Sequence, residues 1–242
     1  SEVLVHPDRL DIPLHWRRPR KIFTVSMGDL FHDAVPDDFI DKVFAVMAIC
    51  PQHTFQVLTK RPERMRRWFQ DIGGTTRRDW IMSAAARLLN VNRLKFPDWP
   101  LKNLWLGVSA ENQAAADERI PLLLQTPAAV RFVSCEPMLS GITLRHIHYD
   151  NTVEIDALTG DHGVFRPLAG RSDAKLNWVI CGPETGPKRR SMGIDVIRNL
   201  RDQCAASGVP FHLKALEING EIVKRPFLDG KQWLQFPGGE RG

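Results

Sequence analysis

Short apolar runs that end abruptly on polar or charged residues recur along this chain, and they limit its fold more than any other feature. The clearest is VRFVSCEPML, Val130 to Leu139, rich in β-branched and aromatic residues and broken by a proline after Cys135 and Glu136. KIFTVSMGD, TFQVLTKRP, NLWLGVSAEN, NWVICGPETG and PFHLKALE repeat the design. Between the runs lie helical patterns, such as DDFIDKVFAVMAIC, whose Phe39, Ile40, Val43, Phe44, Met47 and Ala48 recur every three or four positions. Strands separated by helices of that length need crossover connections, and hence a mostly parallel sheet. The pattern predicts six or seven strands in a TIM-like or partial (β/α) barrel, with a doubly wound sheet as the alternative. In either fold the polar site lies on the shared C-terminal edge of the strands.

No linker and no short repeat divides the chain, so residues 1–242 read as a single β/α-barrel-type domain. Residues 145–175 interrupt the alternation with β-like pieces and Gly/Asp turns. They read as an inserted hairpin region, either a flap for a partner or a decorated surface loop. EVLVH, Glu2 to His6, predicts a short first strand, and the tail EINGEIVKRPFLDGKQWLQFP a peripheral hairpin. With 43% hydrophobic and 25% charged residues the composition is that of a soluble globular protein. No run approaches the length of a membrane span and SEVLVHPDRL is not a signal peptide, so a cytoplasmic, non-membrane protein is expected. The net charge of +5 permits a nucleic acid or another anionic substrate without requiring one. Cys50, Cys135, Cys181 and Cys204 stand too far apart for a disulfide framework or a close-spaced metal signature, and no metal site is expected on them.

Chemistry is concentrated where the runs end. Ser26 and Asp29 follow the first secure strand, Thr59, Lys60 and Arg61 the second, and Ser109, Glu111 and Asn112 the third. Glu136 follows the fourth, Gly182 and Glu184 the fifth, and Lys214 the sixth. A carboxylate placed as Glu136 is could accept hydrogen bonds from an amine, a ribose or a base, or could pair with Lys60 or Lys214. Lys60 and Arg61 suit a carboxylate or phosphate. Glu136, Lys60 and Asp29 are the candidate catalytic groups. Ser26, Thr59, Ser109, Glu136, Gly182 and Glu184 are the candidate cofactor contacts, Gly182 because a glycine lets a ligand approach the backbone closely. Arg17, Arg18, Arg20, Arg61, Arg189 and Arg190 could contact nucleic-acid phosphates, or simply be solvated. His32, between Asp29 and Asp33, is an acid–base group, a metal ligand or a loop-closing residue. GxSxG, HExxH and Walker motifs are absent.

The segments VSMGDLFHDAVPDDFIDKVFAVMAICPQHTFQVLTKRPERM, NLWLGVSAENQAAADERIPLLLQTPAAVRFVSCEPML and NWVICGPETGP resemble the phage Gp37/Gp68-like family, over about His6 to Lys214. The resemblance implies a barrel like that of radical S-adenosylmethionine proteins, with spore photoproduct lyase as a distant analogue. It implies an S-adenosylmethionine pocket at Ser26, Thr59, Lys60, Ser109, Glu136 and Glu184. Family members usually begin with a Trp-Asn-Pro segment and a CxxxxxxxCxxC motif for an iron–sulfur cluster, which this sequence does not contain. It reads CGPETG where the family tends to read GGESG, and LKALE where the family tends to read FKQWG. The expectation is a radical S-adenosylmethionine-type enzyme or derivative, possibly acting on nucleic acid, with a cluster only if an upstream cysteine motif exists. The alternatives are a non-catalytic nucleotide- or nucleic-acid-binding module and a metal-dependent hydrolase built on Asp29, His32 and Glu136.

Overall fold

A computed structural model describes residues 3–25, 28–71, 73–91, 94, 97–149, 153–161 and 174–239. Its main sheet is built from β1 (Lys21–Phe23), β2 (Thr54–Thr59), β3 (Leu104–Ser109), β4 (Val130–Cys135), β7 (Trp178–Cys181) and β8 (Phe211–Leu213). The strand order is β1-β2-β3-β4-β7-β8, which leaves β1 and β8 as edges. The β1/β2, β4/β7 and β7/β8 pairings are parallel. The architecture is thus an open, mostly parallel six-stranded α/β sheet with helices between its strands, consistent with the expected partial (β/α) barrel, and among the described residues β1 and β8 do not pair to close it.

The chain divides into two compact units, Ser1–Leu106 with Thr126–Ala129, and Gly107–Gln125 with Val130–Gly242. In the first unit, β2 alternates strictly, with Phe55, Val57 and Thr59 buried. Helix α1 (Asp37–Ile49) starts after Pro36 with Asp37 and Asp38 in its first turn, where carboxylates oppose the helix dipole. Pro62 opens the short α2 (Pro62–Trp68). Helix α3 (Arg77–Leu89) opens on a capping box between Thr76 and Asp79 and ends at Asn90, φ 51°, in the left-handed region. It packs on α1 through Arg77, whose Nη1 lies 2.9 Å from Asp41 Oδ1 and whose guanidinium sits 4.6 Å over the Trp68 ring. Burial pushes the Asp41 carboxyl up, against the opposing pull of Arg77.

The strand expected at Glu2 to His6 does not form in residues 3–6, which lead into a 3-10 turn at Pro7–Arg9 with Leu4 exposed. Apolar alternation over five residues gains nothing without a neighbouring strand.

In the second unit, Asn112 caps α4 (Gln113–Leu124), accepting from Ala115 N–H at 2.9 Å. Pro121 lies inside this helix. Helix α5 (Ile194–Ala206) packs on β8. The inserted hairpin is β5 (Ile147–Tyr149) with β6 (Val153–Ile155), antiparallel; residues 150–152 and 162–173 of the 145–175 region lie outside the described residues. The tail forms two hairpins, β9 (Ala215–Ile218) with β10 (Glu221–Lys224) and β11 (Phe227–Leu228) with β12 (Lys231–Gln232). The chain then returns along β8, where Leu213 N–H donates to Trp233 O at 2.7 Å and Gln235 N–H to Phe211 O at 3.2 Å. This return gives the exposed edge of β8 a hydrogen-bonded cover.

Candidate functional site

In the second unit the backbone ladder continues past the strand ends and holds the groups there in place. Gly182 N–H donates to Cys135 O at 3.1 Å, Met138 N–H to Gly182 O at 3.0 Å, and Lys214 N–H to Cys181 O at 2.9 Å. Glu136 and Lys214 therefore emerge side by side, with Nζ 2.8 Å from Oε1 and 2.9 Å from Oε2. The carboxylate is about three-quarters buried and the lysine mostly exposed. Gly182 closes against this carboxylate: a Cβ there would lie 3.2 Å from Glu136 Cδ and Oε1. A side chain at this position would crowd the carboxylate.

Two other strand-end carboxylates belong to the same unit. Glu111 pairs with Arg119 Nη1 at 3.0 Å, and the same nitrogen donates to Ser109 O at 2.9 Å. Glu184 accepts from Arg190 through Nε (2.9 Å), Nη2 (2.8 Å) and the backbone N–H (2.8 Å). That forked arrangement lowers the Glu184 carboxyl to about 2, the side-chain bonds from Arg190 acting most strongly. Ser109 is buried at the end of β3.

The first unit gathers a different set. The Asp29 carboxylate accepts from Phe31 N–H (2.9 Å) and Thr59 Oγ1 (2.7 Å) on one oxygen. Its other oxygen accepts from Lys60 N–H and Arg61 Nη1, both at 3.0 Å. Asp29 thus staples the loop after β1 to the end of β2, and its hydrogen-bonding capacity is used in doing so. Asp29→Ala is expected to lower stability by about 2 kcal/mol, because the buried Thr59 hydroxyl and two backbone N–H groups lose their acceptor. Urea denaturation measures this; a change within error would show that the staple contributes nothing.

His32 closes the same loop, its Nδ1 accepting from Ala34 N–H at 3.1 Å while Arg64 Nη1 donates to its carbonyl oxygen. The Lys60 residue is exposed. Among the described residues no three His, Cys, Asp or Glu side chains are grouped to hold a metal ion.

A cavity of about 560 Å³ also opens in this unit, walled by residues that include Leu10, Trp16, Val25, Leu30, Met47 and Phe55. Asp29, already engaged as above, is on its lining. No strand-end pattern marks such a cavity in the sequence, because its walls come from the N-terminal turns, β1 and α1 together.

Of the remaining candidates, Ser26 lies outside the described residues. Arg17, Arg18 and Arg20 are exposed, with the Arg20 guanidinium 4.3 Å over the Trp16 ring. Arg189 is tied to Glu217 at 3.2 Å and donates to the carbonyls of Gly186 and Gly220. Arg61 and Arg190 are paired with Asp29 and Glu184.

The four cysteines are buried and unbridged. Burial, followed by the Glu111 carboxylate, pushes the Cys135 thiol up to about 12. Burial likewise raises Cys50, Cys181 and Cys204. Cys181 Sγ lies 3.6 Å from Met138 Sδ, as a thiol packed in a core does.

A family profile for proteins of unknown function, DUF5131, matches residues 1–237. The chain belongs to that family. No curated protein and no solved structure matches it. No helix among the described residues is long and apolar enough to cross a membrane.

Proposed function

We propose that the Glu136–Lys214 edge of this family member binds S-adenosylmethionine through its amino-acid end, in a protein derived from radical S-adenosylmethionine-type enzymes acting on nucleic acid. The observation that carries this reading is the accessible pair of opposite charges fixed at adjoining strand ends, with Gly182 keeping one side free of a side chain. An α-amino acid is a zwitterion. Its ammonium group complements Glu136 and its carboxylate complements Lys214, so the ligand exchanges one ion pair for two. Glu184, held by Arg190, shapes the loop beside Gly182.

When bound, S-adenosylmethionine supplies a sulfonium centre with activated carbon–sulfur bonds. The chain's part is to bind and orient the amino-acid end. Its own cysteines do not fit an iron–sulfur cluster, because all four are buried and, among the described residues, no three ligand-type side chains are grouped to hold a metal. No radical step is therefore derived from these residues.

Isothermal titration calorimetry tests the reading. The wild-type protein is expected to bind S-adenosylmethionine saturably, with free methionine competing. Glu136→Gln and Lys214→Met should each weaken binding by about 10- to 100-fold, the range for losing one charge-assisted contact. Absence of saturable binding by the wild type, or wild-type affinity retained in both variants, overturns it.

A further inference from the structure

A second surface of the same unit has its own chemistry. Phe227 is 67% exposed, although its strand neighbour Leu228 is buried. It faces outward because the two-residue period of β11 sends Leu228 to the core. Lys224 and Arg225 precede it in sequence, are both exposed, and make no ion pair among the described residues. Gln232 is its cross-strand partner, and Lys231 follows on the same hairpin with Nζ 4.5 Å over the Trp233 ring.

The acidic residues of these hairpins are largely spoken for. Glu217 pairs with Arg189, and Asp229 with Arg198 and Arg201. Glu221 stands at the far end of β10, about 10 Å from Lys224 along the strand. The surface around Phe227 is therefore positive, with one solvent-facing aromatic ring at its centre.

We propose that Lys224, Arg225 and Phe227 form a contact surface for single-stranded nucleic acid, with an unpaired base stacked on Phe227 and the flanking phosphates on Lys224 and Arg225. Exposed rings flanked by cations suit an unpaired base, whose face is free, better than a duplex, whose bases are stacked on one another. A protein interface of standard size would centre on a contiguous apolar patch, whereas here Lys224 and Arg225 precede the ring in sequence and Gln232 faces it across the hairpin. Arg225 N–H donates to Lys214 O at 3.0 Å, and Gln232 Nε2 to Arg225 O at 2.8 Å. Arg225 of this surface is thus bonded through its backbone to the strand end that carries Lys214. This surface does not depend on S-adenosylmethionine binding; it names the substrate class that such a site would meet.

The test is fluorescence anisotropy with the full chain and a labelled oligothymidylate of about 20 nucleotides, without S-adenosylmethionine. Binding is expected at about 50 mM salt and should weaken steeply by about 200 mM. Phe227→Ala should weaken it by about tenfold, with Phe227→Trp restoring it. Lys224→Gln with Arg225→Gln should reduce the logarithmic salt slope by about 1 to 2. All three sites are exposed, so circular dichroism should show the fold unchanged. Failure of the wild type to bind overturns the proposal. So does equal affinity for duplex and single strand together with an unaffected Phe227→Ala variant. Displacement of the oligonucleotide by polyglutamate, with no effect of Phe227→Ala, would assign the surface to an acidic protein and also overturn it. A negative calorimetric result for S-adenosylmethionine leaves this titration unaffected, so the two readings fail separately.

Discussion

Gly107→Ala is expected to lower stability by about 3 kcal/mol or more, and Gly107→Val further still. Gly107 lies in β3, where every residue is buried. A Cβ there would lie 2.4 Å from Cε2 and Cζ of Phe132 and 2.6 Å from its Cδ2. The ring has nowhere to go, since Phe132 is fully buried and packs against Trp178 with centroids 5.6 Å apart. For a chain of this size each kcal/mol lowers the melting temperature by about 2–4 °C, so the alanine variant should lose roughly 6–12 °C. Phe132→Leu combined with Gly107→Ala should recover part of the loss in a double-mutant cycle. Independent, additive losses would show that the ring is not what excludes the side chain. The position bears on the site as well, because Phe132 is on β4, which ends at Cys135 one residue before Glu136.

Arg77→Leu should be at least as damaging, by about 3–5 kcal/mol, the range for removing one member of a buried ion pair. The Arg77 side chain is 4% exposed and that of Asp41 14%. Without the guanidinium, Asp41 keeps its desolvation and loses its counter-charge. Burial already raises the Asp41 carboxyl, and the loss of Arg77 raises it further. A carboxyl whose folded-state pKa is raised stabilises the fold when protonated, and that contribution disappears as pH rises through the folded-state value. The deficit in Arg77→Leu should therefore be smaller in acid than at neutral pH. Chemical denaturation across that range measures it. A deficit that grows towards acid would contradict the assignment. Adding Asp41→Leu should restore much of the stability, as replacing a whole buried pair with apolar groups often does.

The strand-end groups separate into structural and accessible sets by their partners. Asp29 is saturated by donors from its own loop and the end of β2, and Glu184 by Arg190 of its own loop, so their substitution should act first through stability or loop shape. Glu136 and Lys214 pair with each other across 78 positions of sequence, and the lysine stays open to solvent. A ligand meets such a pair without first dismantling a loop.

Sequence periodicity alone determined the alternation of strands and helices, the parallel sheet, the hairpin within 145–175, and polar groups at the ends of β2, β3, β4, β7 and β8. Those properties follow from which residues must face away from water, and the two-residue and 3.6-residue periods record this directly. The choice of partner for each charged group was decided only by tertiary structure. Glu136 could pair with Lys60 or Lys214 as far as composition went, and the register of β4, β7 and β8 selected Lys214. The same holds for the burial of Cys135 beside Cys181 in paired strands, and for the return of Trp233 to Gln235 along β8. The outward turn of Phe227, close in sequence to two cations that make no ion pair among the described residues, is a further case. Each depends on contacts between residues far apart along the chain, and local hydrophobic pattern carries no information about which distant strands become neighbours.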